Sequence, residues 1–235
     1  GDSDEHPRRT VYLDAFYIDK YEITCAQFAS FVNATGQAID NNGNKLFELD
    51  PNRQFGIRQP VNQWETQLGM ELHPMVNVTW YGANEYAKWA GKKLPTEAEW
   101  EKSARGENGN IYPWGNEWGR DKCNHGSAKM PWYDESDGFI RTAVVGSYVT
   151  GVSPYDVHDL AGNIAEWTAD WYDPEFYRTA IGDNPTGPGW GKEKIVRGGS
   201  WFYRRTYCRS ARRNCNGPQF YDTILGFRCV KNINQ

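Results

Sequence analysis

The C-terminal block, residues 197–230, begins Arg197-Gly198-Gly199-Ser200-Trp201 and continues Phe-Tyr-Arg-Arg-Thr-Tyr-Cys-Arg-Ser-Ala-Arg-Arg-Asn as far as Asn214; it closes with Gly226-Phe227-Arg228-Cys229-Val230. The two glycines predict a point where backbones approach closely or where φ is positive. The closing apolar run is typical of a β-strand. Between these ends, polar residues alternate with aromatic and aliphatic ones. The block therefore predicts two strand-like ends around an arginine-rich centre.

Three further blocks precede this one in the chain. The first block carries Phe16-Tyr17-Ile18 and Glu22-Ile23-Thr24. The second consists of Leu-Pro-Thr-Glu-Ala-Glu-Trp-Glu at 94–101 and Tyr-Pro-Trp-Gly at 112–115. The third is Asp-Leu-Ala-Gly-Asn-Ile-Ala-Glu-Trp at 159–167. In this order the four blocks resemble the formylglycine-generating enzyme family, also called sulfatase-modifying factors. The resemblance implies one α+β domain over residues 1–235, with a C-type-lectin-like core, few regular elements and many loops. Activity is a separate question, because one fold hosts many functions.

Three helices are predicted from their N-terminal capping signals, which are Thr24 with Gln27, Thr79, and Thr96 with Glu99. The first is expected to stop near Gly36, the second at Gly91 and the third near Arg105. Residues 37–72 lack periodicity and are predicted to form a long surface excursion. Residues 106–190 are predicted to be mostly irregular. Ordering so many loop residues costs conformational entropy, which bound cations could offset.

Composition limits the possible functions of the chain. It has 235 residues, a formal net charge of −4, and 11 Trp, 14 Tyr and 10 Phe. The aromatic residues indicate an aromatic core among polar loops, and the negative net charge disfavours a nucleic-acid partner. No run of eighteen apolar residues is present, so membrane insertion is not expected. The five cysteines are odd in number and lack CxxC spacing, so the redox compartment stays open. No signal peptide is visible in the given chain, which could be trimmed, and localisation stays open.

Two calcium sites are implied by the resemblance. Two acidic side chains seven residues apart with a glycine between them can surround one hard cation, which takes six to eight oxygen ligands. The first set comprises the side chains of Asp159 and Glu166 and the carbonyls of Gly162 and Ile164. The second comprises the side chains of Asn124 and Asp137 and the carbonyls of His125 and Phe139. In both places the alternative is an Asp or Asn turn without metal, and any calcium is expected to be structural.

Cys208 is the candidate catalytic residue. Active members of the family hold Cu(I) between two cysteine thiolates five residues apart, and a soft ion prefers such ligands. Counted from Ser200, Cys208 occupies the second of these positions, whereas Tyr203 occupies the first. A phenol is a hard oxygen donor that cannot replace a thiolate, so copper is not expected. The alternative for Cys208 is a small buried hydrophobic residue.

An aromatic and arginine-rich surface is the candidate ligand-binding region, since clustered exposed aromatic residues usually mark a binding surface. Its predicted members are Ser200, Phe202, Tyr203, Arg204, Tyr207, Arg212, Phe220, Tyr221 and Ile224. The framework resembles the variable proteins of diversity-generating retroelements, which keep such a framework and vary the positions between. Three hypotheses follow: a scaffold that binds a protein or peptide, an oxidase acting on a peptidyl cysteine or related substrate, and a non-catalytic partner of an active relative.

Overall fold

The fold is built around one small curled sheet, in a computed structural model that describes residues 1–127, 137–180 and 182–233. Four strands form this sheet in the order β6-β5-β4-β7, namely β4 (Ala165–Trp171), β5 (Lys194–Arg197), β6 (Asn214–Asn216) and β7 (Leu225–Gly226). Strand β4 runs parallel to β7 and antiparallel to β5. The C-terminal block therefore contributes to three of the four strands.

The other strands of the described residues form two antiparallel pairs. Strand β1 (Phe16–Ile18) pairs antiparallel with β8 (Val230–Asn232), so the first and last strands of the chain lie side by side. Strands β2 (Ile57–Arg58) and β3 (Glu65–Thr66) form a short antiparallel pair. The predicted closing strand is thus divided between β7 and β8, and the three buried residues between them lie outside regular structure.

In the described part of the chain, four α-helices accompany the sheet: α1 (Cys25–Thr35), α2 (Trp80–Trp89), α3 (Glu97–Arg105) and the single turn α4 (Phe176–Thr179). The three long helices begin at the predicted threonines, whose hydroxyls accept hydrogen bonds from backbone N–H groups of the first turn. In α1 and α3 the full capping box is present. Helix α1 ends at Gly36 in the left-handed conformation, as predicted.

The main core contradicts the prediction for residues 37–72. This segment buries Leu46, Phe47 and Ile57 against helix α1, so it is not only a surface excursion. Its backbone is fixed by contacts far along the chain, including a hydrogen bond of 2.8 Å from Glu48 N–H to the Asn77 carbonyl. Sequence periodicity could not reveal these contacts, because they link irregular segments rather than faces of helices or strands.

Buried ion pairs form a second kind of core, which we name the arginine framework: Arg197, Arg213 and Arg228 with Glu97, Glu101 and Glu166. Arg228 donates to both carboxylate oxygens of Glu166 at 2.7 and 2.8 Å, and both residues are fully buried. Arg197 bridges Glu97 and Glu101 on helix α3 at 2.8 and 2.7 Å. Such bidentate pairs fix the position of two planar groups, and they tie the C-terminal block to the centre of the domain.

Within the described ranges, no helix is long and apolar enough to cross a membrane.

Candidate functional site

Three loops meet at one end of the central sheet. The Asn163 N–H donates to the Asn124 carbonyl at 2.8 Å, and the Trp201 N–H donates to the Asn163 carbonyl at 2.9 Å. The loop after Cys123 is also held from the other side, because the Gly126 N–H donates to the Tyr203 carbonyl at 2.9 Å. The structure thus brings together the regions of both predicted calcium sets and the start of the C-terminal block.

Gly162 makes this junction possible. Its φ is +77°, and a Cβ at this position would lie 2.0 Å from the Asn124 carbonyl oxygen. Only a residue without a side chain allows the two loops to approach so closely. The glycine is therefore required by packing, whether or not its carbonyl also binds a cation.

The second predicted calcium set fits a hard cation in its donor chemistry. The Asn124 side-chain oxygen is buried and has no hydrogen-bond partner among the residues that the structure describes. The Asp137 carboxylate accepts from the backbone N–H groups of His125 at 2.7 Å and Phe139 at 3.2 Å, which holds it close to the same loop. A buried amide oxygen without a hydrogen-bond donor and a loop carboxylate are oxygen ligands of the kind that calcium takes.

The first set does not fit as the sequence predicts, and the reason is Glu166. Its carboxylate is bound by Arg228 and also accepts from the Trp100 indole N–H at 2.9 Å. Asp159 accepts from the Gly146 N–H at 2.6 Å. Burial raises the pKa of Asp159 to about 6. Both oxygens of the Glu166 carboxylate are thus bound by the arginine framework, and the first calcium set stays a prediction. Within the described ranges, no three His, Cys, Asp or Glu side chains converge as a metal-binding group.

Five rings pack in series beside this junction, and we name them the aromatic strip: Phe55, Trp201, Phe202, Tyr203 and Tyr207. Consecutive ring centroids lie 6.3, 5.8, 6.0 and 4.8 Å apart. The last pair is stacked with an interplanar angle of 14°. Distances of this size are typical of interacting aromatic pairs. The strip is therefore one connected row of rings, which is buried at Phe55 and exposed at Phe202.

Arginines lie at both ends of the strip. The Arg141 guanidinium is 5.4 Å from the centroid of Phe55, and that of Arg204 is 6.0 Å from Tyr207. Guanidinium groups in such positions are attracted to the negative face of the ring. Burial, and then the Asp222 carboxylate, raise the pKa of the Tyr203 phenol, which favours its neutral, hydrogen-bond-donating form.

The strip is accessible at its centre and continues onto a neighbouring loop. Phe202 is 39% exposed, and Phe220 and Tyr221 on residues 217–224 are 43% and 41% exposed. This loop contacts the strip where the Trp201 indole N–H donates to the Thr223 carbonyl at 3.1 Å. Ile224 is half-buried in the same loop. The structure thus brings most of the predicted ligand-binding residues to one side of the domain.

Two predicted ligand-binding residues make other contacts in the structure than the prediction assigned to them. Ser200 is fully buried, and its hydroxyl accepts from the Phe202 N–H at 3.3 Å, so it supports the turn beneath the strip. Arg212 lies 4.8 Å from the Tyr207 centroid but is paired with the carboxylate of Asp2. The N-terminal acidic segment thus occupies this arginine, a contact that could not be inferred from two residues so far apart in sequence.

Cys208, the predicted catalytic residue, is also fully buried. It shares an apolar cluster with Cys123, which the sequence analysis did not single out, and Trp114 and Trp118 pack against this cluster. The sequence analysis also did not predict that Phe55 belongs to the site. Asp50 is the local sequence signal for its position, because the Asp50 carboxylate accepts a hydrogen bond from the Phe55 N–H at 3.0 Å and shapes the turn that directs the ring inward.

These features define a loop-rich α+β domain of the C-type-lectin-like kind that carries an aromatic surface on its C-terminal loops. The family model described as "Sulfatase-modifying factor enzyme 1-like domain" matches residues 1–233. The chain belongs to this FGE-sulfatase family, and the predicted family and fold class are confirmed.

Curated relatives differ in length. The formylglycine-generating enzyme of Thermomonospora curvata is 36% identical over 96% of this chain and 85% of its own. That of Streptomyces coelicolor is 37% identical over 98% of this chain and 82% of its own. "Serine/threonine-protein kinase pkn1" of Chlamydia pneumoniae is 37% identical over 100% of this chain, which spans only 36% of that protein.

Solved structures share the fold. PvdO from Pseudomonas aeruginosa superposes with a TM-score of 0.79 at 25% identity, over 99% of this chain and 86% of its own. Variable protein 1 of Treponema denticola superposes with a TM-score of 0.67 at 22% identity, over 94% of this chain and 86% of its own. The second likeness concerns the fold alone.

Proposed function

We propose that this domain is a ligand-binding member of its family, which binds a protein or peptide through the aromatic strip and the adjoining loop 217–224. The observation that carries the proposal is the connected row of rings with an exposed centre at Phe202. Rigid aromatic side chains offer a large contact area at a low cost in conformational entropy, and arginines beside them add hydrogen-bond donors. Neutral Tyr203 and the guanidinium of Arg204 supply the polar part of such a surface.

The chemistry of the thiols supports binding over copper-dependent oxidation. The position at which the family requires a first cysteine holds Tyr203, and the second position holds a cysteine that solvent does not reach. The family's pair of thiolates five residues apart cannot be assembled from a phenol and one thiol. We therefore assign the strip to recognition.

Calcium has a structural role in this proposal. The second set, with Asn124 and Asp137 as side-chain ligands, would hold the ion between two loops. In that position the cation would satisfy the buried amide oxygen and fix the loop that carries Gly126, whose N–H bonds to the Tyr203 carbonyl. The ion would thereby stabilise the backbone beneath the strip without taking part in any reaction.

A peptide library displayed on phage and selected against the purified domain tests the binding proposal. Enriched peptides are expected to bind the unmodified domain and to lose at least about tenfold in affinity, or about 1.4 kcal/mol, for Phe202→Ala and Tyr203→Ala. The matched control is Trp190→Ala, because Trp190 is 81% exposed and lies outside the strip. Peptides that bind all three variants equally, or a selection without enrichment, would contradict the proposal.

An oxidase acting on a peptidyl cysteine is the second candidate, favoured by the relatives named formylglycine-generating enzyme at 36% and 37% identity. It predicts a change in the mass of cysteine-containing peptides after incubation with the domain, Cu(I), oxygen and a reductant. It also predicts that Cys208→Ser abolishes this change. Peptides whose mass stays constant under these conditions exclude this candidate.

A further inference from the structure

Two cysteines that are far apart in sequence meet beneath the aromatic strip. Cys123 and Cys208 are 2% and 0% exposed, respectively, and pack in one cluster with Ala161, Trp114 and Trp118. Among the described residues, Ala161 is the one other buried member of this small cluster, so the two cysteines make up most of its interior. Neither thiol is engaged in a disulfide in the structure.

The backbone on both sides fixes this contact. The residue after Cys123 is held through its carbonyl by the Asn163 N–H, and Gly126 is held by the Tyr203 carbonyl. On the other side, the Cys208 N–H donates to the Arg205 carbonyl at 3.1 Å. Gly199 allows the close packing of this turn, because a Cβ there would lie 2.9 Å from the Tyr207 carbonyl oxygen. The proximity of the sulfurs is thus a consequence of the fold.

The three other cysteines have different surroundings. The Cys25 thiol donates to the Pro74 carbonyl at 3.5 Å, and the Cys215 thiol donates to the Glu193 carboxylate at 3.5 Å. Cys229 is buried in the main core beside Asp19. Cys25 and Cys229 both lie in the large main core, whereas Cys123 and Cys208 share a small cluster whose other buried member is Ala161. The odd number of cysteines is therefore compatible with one specific crosslink.

We propose that Cys123 and Cys208 form a disulfide when the protein folds in the presence of a small-molecule disulfide such as oxidised glutathione. The two thiols lose two protons and two electrons as the sulfur–sulfur bond forms, and the oxidant is reduced to two thiols. The bond joins the loop of Asn124 to the turn that carries Tyr203 and Tyr207. It forms during folding, because both sulfurs are buried once the native structure is complete.

This crosslink adds a feature that the proposed binding function does not require. It would close a loop of 85 residues, the difference between positions 208 and 123. Closing a long loop restricts the unfolded chain and thereby stabilises the native state. It would also hold the base of the strip to the second calcium set, so that two loops of the site move as one unit. In the oxidised protein, Cys208 is no longer a thiol.

The test uses the full chain, unfolded and reduced, then refolded in a buffer of reduced and oxidised glutathione. Free thiols are blocked with N-ethylmaleimide, and the protein is digested without reduction for mass spectrometry. We expect one linked pair of peptides containing Cys123 and Cys208, and three alkylated cysteines. Five alkylated cysteines, or a link between any other two, would overturn the proposal.

Two variants sharpen this result. Cys215→Ser removes a half-exposed thiol outside the cluster, and we expect it to keep the crosslink. Cys123→Ser should lose it and leave Cys208 alkylated. We also expect the oxidised wild type to unfold at a higher urea concentration than the same protein after reduction. Equal midpoints would show that the crosslink does not form or does not restrict the unfolded chain. Even if Cys123→Ser fails to fold, the peptide map of the wild type shows whether Cys123 and Cys208 are linked.

Discussion

The arginine framework and the aromatic strip come from the same C-terminal block, yet they use arginine in opposite ways. Arg197, Arg213 and Arg228 are nearly or fully buried, and each is paired with a glutamate from a distant part of the chain. Arg204 is exposed and lies against a ring of the strip. Residue type alone therefore does not determine the role of an arginine in this block. Its role is determined by its burial and by the presence of a carboxylate partner.

This difference predicts two classes of variants. Changes in the framework should lower the free energy of unfolding, because a buried charge that loses its partner remains desolvated. Changes at the exposed part of the strip should leave stability nearly unchanged and alter ligand binding instead. The following predictions test this division, from the largest expected effect to the smallest.

Arg228→Met should lower the free energy of unfolding by about 3–5 kcal/mol, because Glu166 would be left buried without its cation. The measurement is urea unfolding, and the matched control is Arg204→Met, expected within about 0.5 kcal/mol of wild type. The double variant Glu166→Leu with Arg228→Met should be more stable than Arg228→Met alone. A double variant that is less stable than the single one would contradict this account of the pair.

Asp170 should make stability depend on pH. Burial, and then Glu97, raise the pKa of Asp170 from 3.8 to about 7. Between these values the folded state binds the proton and the unfolded state does not. The free energy of unfolding should therefore fall as pH rises through this window, by roughly 4 kcal/mol from this residue.

Asp170→Asn should remove this part of the pH dependence, since an amide does not titrate and can still accept the hydrogen bond that Glu97 N–H donates at 2.9 Å. Urea unfolding of both proteins at several pH values measures the difference. The exposed Asp14→Asn serves as the control and should leave the slope unchanged. Parallel curves for wild type and Asp170→Asn would show that Asp170 is ionised in the folded protein throughout.

Calcium should stabilise the domain through the second set. At a free concentration one hundred times the dissociation constant, the gain is about 2.7 kcal/mol. Thermal unfolding with calcium and with a chelator measures it. Asn124→Ala should abolish the gain, whereas Asn42→Ala, at an exposed turn, should retain it. A gain that persists in Asn124→Ala would place the ion elsewhere.

Gly162→Ala should destabilise the domain more than Gly36→Ala, although φ is +77° and +68° at these positions. An added Cβ at Gly36 meets nothing within 4 Å, whereas at Gly162 it meets the Asn124 carbonyl oxygen. We expect a cost of about 1 kcal/mol at Gly36 and at least about 2 kcal/mol more at Gly162. Equal costs in urea unfolding would mean that the loops can separate freely.

Phe202→Ala should have the smallest effect on stability, below about 1 kcal/mol, because the ring is 39% exposed. The matched control is Phe28→Ala, since Phe28 is fully buried in the main core and its loss should cost about 3–5 kcal/mol. Similar losses for both variants would indicate that Phe202 belongs to the core rather than to a binding surface.

Local signals predicted the parts of the fold that local chemistry determines. The threonine caps of three helices and the glycine end of α1 depend on groups within a few residues, and the structure has them as predicted. The role of Glu166 could not be predicted in this way. Its motif is typical of a calcium loop, but its partner Arg228 lies 62 residues further along the chain. Only the folded structure reveals that Arg228 binds this carboxylate.

The same limit applies to the site. The aromatic residues of the C-terminal block were visible in the sequence, whereas Phe55 and Cys123 join them through contacts between irregular loops. Ser200 and Arg212 have the residue types of a binding site, yet one is buried and the other is paired with Asp2. Sequence alone therefore indicated the region of the site but not its exact membership.

Calorimetric titration of an enriched peptide against one variant from each region tests the central division most directly. Arg213→Met removes a buried partner of Glu97, and Phe202→Ala removes the exposed ring of the strip. We predict that Arg213→Met lowers the free energy of unfolding but binds the peptide with unchanged affinity. Phe202→Ala should keep its stability and lose at least about tenfold in affinity. Unchanged peptide affinity for Phe202→Ala would contradict the assignment of the strip to recognition.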